Sequence, residues 1–318
     1  MKKLFNIFVV SFALVFSSSV FANKIGVVYD SGGKFDKSFN ELAFKTAERV
    51  KNELGWEMVE FESSNDAQIE QGMRKIADRG ATMIVGMGFA QADAVAAVSA
   101  DYPDIKFVAV DVCWLDDPNN NIYQACYKEH EGSFLVGMMA AMASKTGTIG
   151  FVGGMDIPLI RKFQGGYEQG AQYVNPDIEV LANMTGTTNE AWNNPTKGAE
   201  LTKTQIDGGA DVVYQAAGGT GIGVLQAAAD AGIMGIGVDA NQNWMHPGNM
   251  LTSMLKRLDL TIFAQAEAIA AGTFEPSGQF LSLGLAEGGV GYATEDGMVT
   301  DEMAAAADAA AADIASGA

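Results

Sequence analysis

Histidine, cysteine and basic side chains are scarce in this sequence. Two histidines occur in 318 residues. His130 lies between Glu129 and Glu131 at an expected helix start, and His246 precedes Pro247 in an expected loop. Neither has a cysteine, histidine or acid at metal-ligand spacing, so both read as surface or loop residues and no metal centre is expected. There is no G-x-S-x-G elbow and no Walker loop, and no serine or cysteine has an evident base partner. Hence no catalytic residue, no cofactor and no enzyme is expected. Lysine and arginine number 20 against 39 aspartates and glutamates, a formal charge of −19. A surface this acidic argues against nucleic acid and anionic lipid as partners. Beyond the N-terminus no stretch has twenty unbroken apolar residues, so nothing there is expected to cross a bilayer.

The N-terminus itself reads as an export signal. Lys2 and Lys3 form a positive start, Leu4 to Phe16 an apolar segment, and Val20-Phe21-Ala22 a small-residue cleavage site. Residues 1–22 are therefore assigned as a signal peptide cleaved after Ala22. No cysteine stands directly after that point, so the mature chain is expected to be unlipidated and periplasmic. The only two cysteines, Cys113 and Cys126, flank a loop. In an oxidising compartment a disulfide between them is favoured over two buried free thiols.

The mature chain is too long for one typical core, so two domains are expected. Its elements alternate. Ile25 to Tyr29 is a short apolar run typical of a buried parallel strand, followed by Asp30, Ser31 and the glycine pair Gly32-Gly33. Ser38 and Glu41 have capping-box spacing, and Phe39, Ala43, Ala47, Val50 and Leu54 then recur at helical spacing up to Gly55. Further strand and helix signals follow, and Gly147 to Val152 with Gly153-Gly154 echoes the opening. Strands alternating with helices of 10–15 residues imply βαβ units on parallel sheets. Two echoing sets imply two lobes whose loop edges face each other across a cleft. The expected division is residues 23–130 plus about 250–275 for the first lobe. Residues 131–249 plus about 276–318 form the second.

In open α/β sheets ligands bind at the carboxyl ends of strands. Three strands end on acids, at Asp30, Asp111 and Asp239, and Lys256 follows the strand Leu251–Leu255. Each acid taken alone is a helix cap or turn residue. Three in phase repel an anion but accept hydrogen bonds from a neutral, donor-rich ligand, such as a ribose diol or a purine edge. Phe39 and Trp192 supply aromatic faces for a base. Gly218-Gly219-Thr220-Gly221-Ile222-Gly223 lies between a strand and a helix, but a dinucleotide fingerprint needs glycine where Val224 stands. It reads instead as a close-approach turn with backbone N–H groups facing the cleft.

At this point the chain resembles the basic membrane protein family of ABC-importer substrate-binding proteins, whose best-known members are purine nucleoside receptors. The resemblance rests on Asp36-Lys37-Ser38-Phe39-Asn40, Glu131-Gly132-Ser133-Phe134-Leu135-Val136-Gly137 and Gly150-Phe151-Val152-Gly153-Gly154. It rests also on Ala191-Trp192-Asn193-Asn194-Pro195 with Lys197-Gly198, and on Gly237-Val238-Asp239. It implies a type I periplasmic-binding-protein fold, with two doubly wound α/β lobes joined by a hinge. It also implies that Asp30 and Asp111 face the base, that Phe39 and Trp192 stack on it, and that Gly218 or Gly219, Asp239 and Lys256 hold the ribose. Ser31 and Asn40 complete the expected ligand-binding set. The implied partners are a purine nucleoside and ABC-importer membrane subunits; separately, a monomer is expected. The sequence departs from the family at two places: many relatives carry an anchoring cysteine absent here, and Trp192 stands where the receptor members are expected to have Phe. An exported nucleoside-processing enzyme and a same-fold receptor for another small neutral solute are the competing readings.

Overall fold

The computed structural model describes residues 22–317 apart from Ser64. The expected signal peptide and its cleavage site therefore lie almost wholly outside the described residues.

The chain begins with β1 (Lys24–Tyr29), α1 (Phe39–Leu54), β2 (Glu57–Glu62), α2 (Ile69–Asp78), β3 (Met83–Met87), α3 (Ala92–Asp101), β4 (Lys106–Val110) and β5 (Ile122–Tyr127). It continues through α4 (Glu129–Ala143), β6 (Thr148–Met155), α5 (Pro158–Val174), β7 (Glu179–Gly186), α6 (Pro195–Asp207), β8 (Val212–Ala216), α7 (Gly221–Asp230) and β9 (Met234–Asp239). It ends with β10 (Met250–Lys256), α8 (Leu258–Ala271), β11 (Ser282–Leu283), β12 (Val290–Tyr292) and α9 (Asp301–Ser316).

Two six-stranded sheets result, in the orders β11-β5-β4-β3-β1-β2 and β12-β10-β9-β8-β6-β7. Every pairing is parallel except β10 with β12. The central strands are buried on both faces, which is why Met83-Ile84-Val85-Gly86-Met87 and Val212-Val213-Tyr214-Gln215-Ala216 read as unbroken runs rather than alternating ones. The two orders correspond strand for strand, so β4 of one lobe matches β9 of the other.

Two of the expected lobe boundaries are moved. β10 was expected in the first lobe, but it pairs with β9 and β12 in the second sheet. The segment around Ser282–Leu283 was expected in the second lobe, but it pairs with β5 in the first. Helix α8 packs on α1, β3 and β4, and α9 packs on α4. The chain therefore crosses between lobes three times, from β5 to α4, from β10 to α8 and from β11 to β12. The reason sequence order misled is that a strand's sheet is set by which neighbour shares its hydrogen bonds, and a short apolar run carries no mark of that neighbour.

Around the crossings, α4 and α5 lie unusually close. A Cβ at Gly137, Gly166 or Gly170 would collide with the backbone carbonyls of Tyr167, His130 and Phe134, respectively. Glu131 ties the third crossing down by accepting from the Leu285 N–H at 2.7 Å.

The capping box expected at Ser38 and Glu41 does not form. Asp36 takes the role instead: its carboxylate accepts from the N–H groups of Ser38 (2.8 Å), Asn40 (3.0 Å) and Glu41 (3.1 Å). Glu41 turns to Lys37 (3.0 Å) and Lys45 (2.8 Å), one turn away in each direction. Ser38 is released for another partner.

Candidate functional site

The strand ends of both sheets meet in one cleft. Its lining includes Asp30, Phe39 and Asp111 from the first lobe and Trp192, Gly218, Asp239 and Lys256 from the second. About 540 Å³ of the space between them is unfilled by atoms, counting the part open to solvent. Thus seven of the ten residues expected at the site converge. Ser31 lines an adjoining recess with Phe89 and Trp192. Asn40 is fully buried behind the wall. Its amide Nδ2 donates to Asp30 Oδ1 at 2.5 Å, and its Oδ1 accepts from the Asp30 N–H at 3.2 Å, so it orients Asp30 rather than lining the cavity. Gly219 also stands off the lining. A Cβ there would crowd the Gly32 carbonyl of the other lobe, so the glycine is needed for lobe contact.

Asp111 and Asp239 hold equivalent positions at the ends of the matching strands β4 and β9. Both have left-handed backbones, with φ of 62° and 64°. That conformation is uncommon for a residue with a Cβ, and aspartate is among those that tolerate it best. The turn aims each carboxylate back over its own sheet edge into the cleft. Asp239 is buried, and burial pushes its carboxyl up to about 6, with Lys256 and the Ser38 hydroxyl opposing the rise. Burial likewise pushes Asp36 up to about 8, against three N–H groups that favour its ionised form.

Lys256 is the cation among these acids. It is 2 % exposed at the end of β10. Its Nζ stands 2.6 Å from Asp111 Oδ1 and 3.2 Å from Glu129 Oε1. The rings of Tyr127, Phe39 and Phe163 surround it at 5.0, 5.4 and 5.8 Å to their centroids. Burial alone would lower its pKa, but Asp111, Glu129 and Asp239 overcome that and hold the ammonium charged well above the ordinary lysine range.

Trp192 ends a short 3₁₀ turn after β7, and its ring lies flat on Gly154, where any Cβ would collide with it. The echoing Gly153-Gly154 pair of the sequence is thus the seat of an aromatic. Thr220 fixes the same turn by donating to the Ala191 carbonyl at 2.8 Å and accepting from the Asn194 N–H at 2.7 Å.

The lobes touch across the cleft. Ser38 Oγ donates to Asp239 Oδ2 at 2.7 Å and Gln242 Nε2 donates to the Lys37 carbonyl at 3.0 Å. With the Lys256–Asp111 pair, these contacts describe a closed two-lobed clamp.

A family model described as "ABC transporter substrate-binding protein PnrA-like" matches residues 22–315. The chain belongs to this family of substrate-binding proteins. Basic membrane protein A2 of Borrelia garinii subsp. bavariensis is 34 % identical to it over 286 residues, covering 88 % of this chain and 82 % of that one. An uncharacterized lipoprotein of Pyrococcus furiosus is 33 % identical over 289 residues, covering 86 % and 71 %. Among solved structures, an ABC transporter solute-binding protein from Aeropyrum pernix K1 superposes with a TM-score of 0.83 at 27 % identity, covering 93 % of this chain and 92 % of that one. The PnrA-like protein therefore has a type I periplasmic-binding-protein fold. Its family works through a small-molecule ligand and a membrane transporter.

Several cleft residues of this PnrA-like protein carried no sequence signal. Phe89, Leu159, Ile160 and Phe163 look like ordinary core residues of their segments, yet they line the cavity. Glu129, to which no role was assigned from sequence, is fully buried, whereas the adjacent His130 faces solvent. The pairing of Cys113 with Cys126 is present, with a Cα–Cα distance of 5.7 Å, and it ties the loop after β4 to β5 beside Asp111.

Proposed function

We propose that this protein captures a purine nucleoside between its lobes and presents it to an ABC importer. The observation that carries this reading is the convergence of Asp30, Asp111 and Asp239, from three separate strand ends, on one cavity that also holds Phe39 and Trp192. Asp30 and Asp111 accept from the N–H groups of the base edge. Phe39 from one lobe and Trp192 from the other lie against its two faces. Asp239 accepts the ribose hydroxyls, while Lys256 and the backbone around Gly218 donate to ribose oxygens. The acids make the cavity a poor host for a phosphate, so the nucleoside and not the nucleotide is the substrate.

The protein works as an exported monomer and releases its ligand unchanged. Both cysteines of the sequence are occupied by one disulfide, which supports a form without a lipid on cysteine even though the Pyrococcus relative is called a lipoprotein.

Calorimetry with adenosine, guanosine, inosine and their monophosphates tests the reading. Binding of at least one nucleoside, and weaker binding of its monophosphate, is expected. Preference for the monophosphates would reverse it. Chromatography of the nucleoside after incubation distinguishes a receptor from an exported hydrolase, for which free base would accumulate.

A further inference from the structure

Glu129 has no place in the ligand scheme above, yet it is the most fully buried acid near the cleft. It is 0 % exposed at the first position of α4. Neither of its carboxylate oxygens meets a hydrogen-bond donor of good geometry among the described residues. Its charge is met by two ammonium groups, Lys256 at 3.2 Å and the half-exposed Lys162 at 3.6 Å. A buried carboxylate held only by ion pairs is costly to a fold, and removing one partner of such a pair is costlier still.

Its location explains what it is for. Glu129 opens α4, immediately after the first crossing between lobes, and Lys256 closes β10, immediately before the second. Both sit on the second-lobe side, because α4 packs on α5 and β10, and β10 lies in the second sheet. Lys162 belongs to α5, in the same lobe. Asp111 lies across the divide, at the end of β4 in the first sheet. When the lobes part by hinge motion, the Lys256–Asp111 pair must break, whereas the Lys256–Glu129 pair travels as one body. In the closed arrangement the ammonium stands between Asp111 and Glu129 and also lines the cavity.

We infer that Glu129 is the positioning residue for Lys256, holding its ammonium at the hinge while the lobes are apart and presenting it to the ligand when they close. Without Glu129, the ammonium has only first-lobe Asp111 and its own lobe's Asp239 as acidic neighbours. It then collapses onto Asp239 in the open form, where it competes with the ligand hydroxyls. The titratable groups that face Lys256 are Asp111, Glu129, Asp239 and Tyr127, with Lys162 behind Glu129. Glu129 is the only carboxylate of this set that does not line the cavity. The ligand-binding half of this inference rests on the nucleoside reading, whereas the electrostatic half does not.

The experiment has two readouts. Nitrogen-detected NMR of lysine side chains at neutral pH, on protein without added ligand, follows hydrogen exchange of the Lys256 ammonium in the wild type, Glu129→Gln and Glu129→Asp. Calorimetry with inosine follows affinity in the same three proteins. Glu129→Gln should speed that exchange and weaken inosine binding, each by about tenfold or more. Glu129→Asp keeps the charge but shortens the reach, so it should preserve most of the protection and weaken binding by a smaller factor. Exchange unmoved in Glu129→Gln overturns the inference. So does full inosine affinity in both variants. If exchange speeds up and the wild type binds no nucleoside, the role of Glu129 toward Lys256 stands and the nucleoside reading fails. Should Glu129→Gln not fold, the affinity of Glu129→Asp decides: unchanged binding overturns the positioning role.

Discussion

Ser38 Oγ donates to Asp239 Oδ2 at 2.7 Å, joining the residue before α1 of one lobe to the last residue of β9 in the other. The bond exists because Asp36, not Ser38, caps the helix. It is a contact of the closed clamp alone, so its loss should weaken closure without touching either core. A hydrogen bond to a charged group contributes about 1.5–3 kcal/mol. Ser38→Ala is therefore expected to weaken ligand binding by about tenfold or more, with little change in the melting temperature of the protein without ligand. Calorimetry and thermal unfolding on the same sample check this. A large fall in melting temperature with unchanged affinity would show that Ser38 serves the fold instead.

The Asp239 carboxyl, pushed up to about 6 by burial, makes two pH predictions. Its folded pKa lies above the unfolded one, so the fold binds this proton more tightly than the open chain does. The resulting stabilisation is complete below about pH 4 and is lost as pH rises through 6. At neutral pH the ionised group is a net cost of about 3 kcal/mol. Asp239→Asn should therefore raise the neutral-pH melting temperature while abolishing most ligand affinity, a separation that calorimetry and differential scanning would show directly. In the wild type, affinity for a hydroxyl-donating ligand should fall below pH 6, by up to about tenfold per pH unit, because a protonated Asp239 must first be ionised. Affinity independent of pH between 4.5 and 7 would argue against ribose contact at Asp239.

The two aromatic faces can each be removed, and one can be displaced without being removed. Stacking contributes about 1–3 kcal/mol per base, so Phe39→Ala and Trp192→Ala are each expected to weaken nucleoside binding by about tenfold to a hundredfold. Gly154→Ala leaves both rings in place chemically but collides with the Trp192 ring. It should reproduce most of the Trp192→Ala loss and displace the tryptophan fluorescence. Wild-type affinity in Gly154→Ala would mean that Trp192 does not touch the ligand.

Reduction of the Cys113–Cys126 bond should destabilise the first lobe. The bond closes a short loop, with 13 residues of separation, which corresponds to about 3 kcal/mol of unfolded-state restriction. The denaturation midpoint of the Cys113→Ser/Cys126→Ser double variant should fall, and dithiothreitol should have the same effect on the wild type and none on the variant. Because the bond anchors the loop that starts at Asp111, ligand affinity should fall as well. Two free thiols in the denatured, unreduced protein would remove the premise.

Much of the fold was legible in the chain. The alternation of apolar runs with helical periodicity is local, so strands such as Lys24–Tyr29 and helices such as Leu258–Ala271 could be read where they lie. So could the acids that end strands, since Asp30, Asp111 and Asp239 each follow directly on an apolar run. Which strand joins which sheet could not be read, and for that reason the expected lobe of β10 and that of β11 differ from the sheets they join. Capping chemistry was equally ambiguous: Ser38 and Glu41 satisfy the spacing, yet Asp36, two residues before Ser38, competes for the same N–H groups and wins.

Composition and local pattern thus determined the two-lobed α/β class, the acidic strand ends and the two aromatics, because each is fixed by residues adjacent in the chain. Only the tertiary structure decided that Asn40 orients Asp30, that Ser38 reaches Asp239, and that Glu129 and Asp111 share Lys256. Those relationships join positions up to 201 residues apart, and their strength comes from burial, which a sequence does not state until its sheets have been paired.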